Sequence, residues 1–278
     1  MIRLALRVAA PDAELVLAEL LELAPSGVEE SRLADGSIEY AVYGAAGELP
    51  TLPDLQAAAG GRLVDITTSE VADDWDERWK AFHKPIEIEH AGRALRVRPP
   101  WEAVAGAEDQ IDLVIDPGQA FGTGAHATTR LCLELLLTLD PAGSCVDIGC
   151  GSGVLAIAAA KLGWAEVIAL DYEAESVDAT IANAEVNAAP LSARQFDLRS
   201  GDPAPGAKLV LANLLLPLLV QLSELGFSST QPDNLIASGL LLGQADEAAK
   251  CFLDRHGMIE VERRTSGDWA ALLLSRGS

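Results

Sequence analysis

The sequence predicts an α/β fold: a doubly wound, mostly parallel seven-stranded sheet of Rossmann-like type behind a small N-terminal α+β module. Three observations predict it. From Ala127 onward helical and strand patterns alternate, two of those strands bracket a glycine-rich turn, and the first 68 residues hold short strands around turn signals. Alternation of this kind buries both faces of a parallel sheet under helices, with an antiparallel strand pair at the end. The expected organisation is a small α+β domain at 1–68, a linker helix at 69–84 and a larger α/β domain at 85–278.

Within the first domain, Arg3 to Val8 alternates polar and apolar residues as a strand does, and Asp12 reads as the cap of an amphipathic helix to about Leu23. Leu15, Leu20 and Leu23 share its apolar face. Strands Val28 to Leu33 and Ile38 to Tyr43 flank Asp35-Gly36, a hairpin signal. A short helix at Leu55 to Ala59 and a strand at Leu63 to Thr67 follow, with Gly60-Gly61 as a turn, and complete a ferredoxin-like module. Between Ala72 and Pro85 large aromatics punctuate a charged stretch, which reads as a bridging helix.

Strand signals resume at Ile86 to Glu89, Leu95 to Val97 and Leu113 to Ile115, the last running into Asp116-Pro117-Gly118. A helix beginning near Ala127 continues through Leu131-Cys132-Leu133. Then come strand Ser144 to Ile148, helix Val154 to Leu162 and strand Val167 to Leu170, with later strands at Lys208 to Ala212, Leu235 to Ser238, Met258 to Arg263 and Ala270 to Leu274. The apolar run Leu209 to Leu222 is too short for a membrane span and contains Asn213, Pro217 and Gln221, so it reads as a buried strand followed by a helix.

Composition narrows the function classes. With 49% hydrophobic residues in 278 the chain can bury a core, and its formal charge of 20 − 42 = −22 repels nucleic-acid phosphates. An acidic surface instead attracts a basic protein partner. Cys132, Cys145, Cys150 and Cys251 form no Cys-x-x-Cys pair and no ligand spacing with the four histidines, so neither a metal site nor a disulfide framework is indicated. The N-terminus lacks the continuous apolar core of a signal peptide, and a cytoplasmic monomer is expected.

The chemistry concentrates at Asp147-Ile148-Gly149-Cys150-Gly151-Ser152-Gly153-Val154, between a strand and an alanine-rich helix. Alternate glycines at 149, 151 and 153 leave backbone N–H groups bare and let a ligand approach the main chain. Val154 stands where a dinucleotide fingerprint wants its third small residue, so the tight packing under a pyrophosphate is missing and the pattern suits S-adenosylmethionine. Asp171 lies about twenty residues past the first glycine, where a carboxylate can take both ribose hydroxyls.

Three further features converge on the same end of a parallel sheet. The segment Asp116 to Thr129 has glycines at 118, 122 and 124, an apolar face at Phe121, and Thr128 or Thr129 to cap the next helix; it reads as a cofactor lid or as a capped helix start. Asn213, at the tip of an apolar strand, is either a helix cap or an acceptor for an N–H of a substrate amine. His126 is either a second polar contact or a buried structural histidine.

The loop ending Phe121-Gly122-Thr123-Gly124-Ala125-His126, the run Asp147 to Ala158, Ala212-Asn213-Leu214, and Trp75 with Trp79-Lys80 resemble the bacterial ribosomal protein L11 methyltransferase family. The resemblance spans most of the chain and implies a Rossmann-like, S-adenosylmethionine-dependent enzyme that trimethylates lysine side chains and the N-terminal amine of one basic ribosomal protein of the large subunit. It implies cofactor contacts at Thr129, Gly149, Asp171 and Asn213; Gly151 and Phe121 of the two glycine-rich segments are further candidate cofactor contacts, and Asn213 and His126 are the candidate catalytic residues. It also implies that the N-terminal module recognises the substrate. The chain departs from the family pattern at Ala127, at Asp171-Tyr172-Glu173-Ala174 and at Trp164. The alternatives are a methyltransferase for another protein or a small amine, and a non-catalytic cofactor-binding interaction protein.

Overall fold

The computed structural model describes residues 2–13, 16–17, 20, 28–44, 49–50, 55, 62–70, 83–90, 92–104, 110–117 and 126–277. They divide between two compact units, Met1–Phe82 and His83–Ser278. The expected bridging helix, with Trp75, Trp79 and Lys80, lies outside the described residues, as do residues 118–125 of the lid segment, with Phe121.

The N-terminal unit holds β1 (Ile2–Val8), β2 (Glu29–Arg32), β3 (Ile38–Gly44) and β4 (Leu63–Glu70). They form one antiparallel sheet in the order β2-β3-β1-β4. This order interleaves β1 and β3, as a ferredoxin-like module requires. Leu4, Leu6 and Val8 alternate onto its buried face, where they meet Val16, Leu20, Ile38, Tyr40 and Leu55. One detail adds to the sequence expectation. A 3-10 turn spans Ala10–Asp12, with Ala9 at its cap position without a side-chain bond and Pro11 in its first turn, where the missing N–H costs nothing; the residues after Ala13 that an Asp12 cap would serve lie outside the described residues. Strand β4 runs on to Glu70, into the segment expected to be linker.

The second unit opens with β5 (Ile86–His90), β6 (Arg93–Arg98) and β7 (Gln110–Val114), a three-stranded sheet in which β5 and β6 pair antiparallel and β6 and β7 parallel. Leu113 is therefore part of a separate small sheet. Arg96 and Arg98 are both buried; Arg98 contacts both oxygens of Asp112 at 2.9 and 3.0 Å, and Arg96 lies between Glu87 and Asp112 at 3.7 and 3.8 Å.

The large sheet follows: α1 (Ala127–Leu136), β8 (Ser144–Ile148), α2 (Val154–Leu162), β9 (Ala165–Asp171), α3 (Ala174–Val186), β10 (Leu191–Gln195), β11 (Ala204–Pro205), β12 (Leu209–Asn213), α4 (Leu216–Leu225), β13 (Phe227–Ser228), β14 (Asn234–Leu241), α5 (Ala245–His256), β15 (Met258–Ser266) and β16 (Trp269–Arg276). Strands β11 and β13 form a two-residue parallel pair of their own. The other seven lie in the order β10-β9-β8-β12-β14-β16-β15, parallel except for β16, which runs antiparallel to both neighbours. Burial on both faces explains the apolar runs. Cys145, Leu209, Leu211 and Val167 point toward α1 and α2, while Val146, Ile148, Val210 and Ala212 point toward α4 and α5.

The seventh strand, β10, is the one that sequence patterning did not place. Leu191-Ser192-Ala193-Arg194-Gln195 is an edge strand with polar and exposed positions, so it carries no apolar run.

Candidate active site

Strand order reverses between β8 and β12: from β8 the chain steps outward through β9 to β10, then returns to β12 on the other side. The crevice at the carboxyl ends of these two strands is where such sheets bind ligands. The glycine turn leaves β8 there.

Gly149, Gly151 and Gly153 all have positive φ, at 76°, 52° and 81°. The turn is fixed by Gly149 and Cys150 N–H groups donating to Leu170 O at 2.8 and 3.0 Å. A Cβ at Gly149 would stand 2.5 Å from the Leu214 side chain, and one at Gly153 would stand 2.8 Å from Thr180 Cγ2. Leu214, just after the tip of β12, is in turn held by Gly239, where a Cβ would meet Leu214 O at 2.4 Å. The cradle and the β12 tip thus depend on bare backbone at two facing positions.

Asp171 ends β9 beside this turn. Its Oδ2 accepts the Gly151 N–H at 2.9 Å and its Oδ1 accepts the Glu173 N–H at 3.1 Å. Burial raises its pKa, and those backbone donors oppose the shift. Each oxygen keeps a further lone pair for a ribose hydroxyl. On the outer side, Arg199 stacks 4.5 Å above the Tyr172 ring and is pinned by Asp197, which lies just beyond β10.

Beneath the turn lies Asp147, fully buried, with Oδ2 accepting the Ala156 N–H at 3.1 Å and Oδ1 without a hydrogen-bond partner. Burial, with the Asp171 charge as a smaller contribution, pushes its carboxyl up to about 7. A buried carboxylate with an unused oxygen under a cradle suits a positively charged ligand, whose charge would compensate it.

On the opposite wall the structure brings His126, Thr129 and Asn213 together. His126, not Thr128 or Thr129, holds the cap position of α1: its Nδ1 accepts from Thr128 N–H at 3.4 Å and contacts Thr128 Oγ1 at 2.8 Å. The threonines lie inside the first turn and are buried. Asn213 Nδ2 donates to Thr128 Oγ1 at 3.3 Å and lies 3.5 Å from Thr129 Oγ1. It does not cap α4, whose cap position belongs to Leu215. The chain Asn213–Thr128–His126 has one consistent direction: amide N–H to hydroxyl, hydroxyl to imidazole Nδ1. That direction leaves the Asn213 Oδ1 as an acceptor. Burial lowers the His126 pKa, and its ring meets Trp269 edge-on at 5.0 Å, so the imidazole is neutral and fixed.

Sequence reasoning missed a further set on α3. Ser176, Thr180, Asn183 and Asn187, spaced at four, three and four residues, are all buried. The signal that would have found them is a polar stripe at helical spacing directly after Asp171.

Comparison with known proteins bears on this geometry. A family model described as ribosomal protein L11 methyltransferase matches residues 30–277. The ribosomal protein L11 methyltransferase of Desulfitobacterium hafniense is 40% identical over 205 residues, which are 72% of this chain and 64%, just under two thirds, of that protein. That of Pelotomaculum thermopropionicum is 35% identical over 255 residues, covering 88% of this chain and 82% of the relative. Among solved structures, the ribosomal protein L11 methylase of Lactobacillus delbrueckii subsp. bulgaricus superposes with a TM-score of 0.59 at 28% identity, over 69% of this chain and 99% of that one.

Proposed function

The chain belongs to the ribosomal protein L11 methyltransferase family, and on that premise we propose that it transfers methyl groups from S-adenosylmethionine to lysine side chains and the N-terminal amine of ribosomal protein L11. One observation carries the reading: the glycine cradle, Asp171 and the outward acceptor of Asn213 meet at the carboxyl ends of β8, β9 and β12. The residues fit the methyl donor. Gly149, Gly151 and Gly153 present main chain at positive φ, two of them where a Cβ would strike Leu214 or Thr180, Asp171 has lone pairs for the ribose, and Asp147 offers compensating charge. Thr129 lines the wall shared with Asn213.

Bound there, S-adenosylmethionine supplies a methyl group on a sulfonium, already activated for displacement by an amine. The chain's own task is alignment and deprotonation. A lysine amine, with its ordinary pKa near 10.4, is free in only about one molecule in several thousand at pH 7, a deficit of about 4.6 kcal/mol. Burial of the ammonium in a pocket whose nearest polar side chains are neutral lowers that pKa. Neutral Asn213 and neutral His126 satisfy this condition, since neither stabilises the ammonium as a carboxylate would. Asn213 Oδ1 accepts one N–H of the amine and thereby turns its lone pair toward the donor; His126 holds Thr128, which holds Asn213. The net charge of −22 draws a basic ribosomal protein to the surface.

Calorimetric titration with S-adenosylhomocysteine tests the cofactor assignment. The wild-type chain binds it saturably, and Asp171→Ala loses about 1.5–3 kcal/mol, some 10- to 150-fold in Kd. Equal affinity of the two would show that the ribose is held elsewhere.

A further inference from the structure

The buried face of α3 holds the glycine cradle by its carbonyl oxygens. Thr180 Oγ1 donates to Gly151 O at 2.9 Å, and Asn183 Nδ2 donates to Ser152 O at 2.9 Å. Because a trans peptide sets N–H and C=O on opposite sides, the Gly151 carbonyl turned toward α3 sends the Ser152 N–H away from it. The helix therefore decides which way the cradle's dipoles face.

Asn183 and its neighbour Asn187 also reach a second strand. Asn183 Oδ1 accepts the Asp116 N–H at 3.1 Å, while Asn187 exchanges two hydrogen bonds with the Val114 main chain, at 2.8 and 2.6 Å, as a neighbouring strand would. Asn187 Nδ2 also donates to Asn183 O at 2.7 Å. Val114 and Asp116 sit at the exit of β7, where the chain sets out toward His126 and Thr129. One helix thus grips both walls of the site at once.

We infer that Asn183, supported by Asn187, is a positioning residue for the methyl donor: it fixes the orientation of the glycine cradle and couples that cradle to the β7 exit. What distinguishes this pair is that its partners are main-chain atoms of two site-forming segments, joined through a single side chain. The inference rests on the cofactor reading above and names residues beyond it.

Two measurements on the full chain test it. In calorimetric titration with S-adenosylhomocysteine, Asn183→Ala weakens binding by on the order of tenfold. Asn183→Asp keeps the acceptor for Asp116 N–H but loses the donor for Ser152 O, and weakens binding comparably. Folded Asn183→Ala with wild-type affinity and only a lowered melting temperature would reduce the residue to a structural role and overturn the inference. Lack of any binding by the wild-type chain would instead overturn the cofactor reading.

The second measurement needs no variant. Amide hydrogen exchange of the wild-type chain is followed with and without S-adenosylhomocysteine. Coupling requires that Val114 and Asp116 N–H slow together with Gly151 when the ligand is present. Slowing at Gly151 with Val114 and Asp116 unchanged contradicts the coupling, whatever the variants do.

Discussion

At the scale of single residues, the site separates two carboxylates by environment. Asp171 is anchored by two backbone N–H groups, whereas Asp147 has one such donor and a bare oxygen, so burial lifts its pKa from an ordinary 3.8 to about 7. Between those two values the folded chain keeps a proton that the unfolded chain has lost. Stability contributed by this group is therefore full below about pH 4 and falls as pH rises toward 7, by up to about 4 kcal/mol. Asp147→Asn removes the titration, so its melting temperature should fall less than that of the wild type between pH 4 and 7. Parallel melting curves for the two would contradict the assignment. Asn213 is the complementary case, a neutral group whose amide is committed to Thr128. Its replacement by Ala should lower turnover by on the order of a hundredfold while leaving S-adenosylhomocysteine affinity within a few-fold. Steady-state rates at saturating L11 decide this, and full turnover would remove Asn213 from the mechanism. The sequence made Asp171 and Asn213 legible because each ends an apolar strand with a polar residue. Asp147 was visible only as part of a motif, since nothing in the sequence shows which of its oxygens goes unpaired.

At the scale of elements, the strand-turn-helix unit β8–α2 was legible from glycine spacing, and its positive φ angles bear out why glycine stands there. The facing partners were not legible. Leu214 and Thr180 approach the turn from other elements, Gly239 in turn backs Leu214, and a linear sequence does not display that proximity. The cap of α1 was misread for a related reason: two threonines are good caps on statistical grounds, but His126, two positions before the first of them, already supplies an acceptor. Strand β10 escaped because an edge strand needs no apolar run. The glycine turn yields an element-scale prediction. Gly153→Ala combines a positive φ with a Cβ 2.8 Å from Thr180 and should cost about 1–3 kcal/mol in urea unfolding, along with weakened cofactor binding. Gly201→Ala, also at positive φ but with open space around its Cβ, should cost about 1 kcal/mol and leave binding untouched. Equal effects of the two substitutions on binding would show that the cradle does not need its bare backbone.

At the scale of the whole molecule, the doubly wound class followed from the alternation of helices and strands after Ala127, and the hairpin signal at Asp35-Gly36 made the β2–β3 pairing of the N-terminal unit legible, while the places of β1 and β4 beside β3 come from the structure. What patterning did not reveal is the small sheet β5-β6-β7. Its strands look like members of the larger sheet until the pairing partners are known, and only then does the exit of β7 become part of the site. The acidic balance of the chain acts at this scale too, because a charge of −22 biases encounter toward basic proteins without specifying which amine reaches Asn213. The central claim is that the β8–β9–β12 crevice moves methyl groups onto amines of L11. Mass spectrometry of purified L11 after incubation with this protein and S-adenosylmethionine tests it most directly. The account predicts mass gains in whole methyl groups, mapped by fragmentation to lysines and the N-terminal amine, and sharply reduced with Asn213→Ala. L11 that stays unmodified beside a chain that visibly binds S-adenosylmethionine would contradict it.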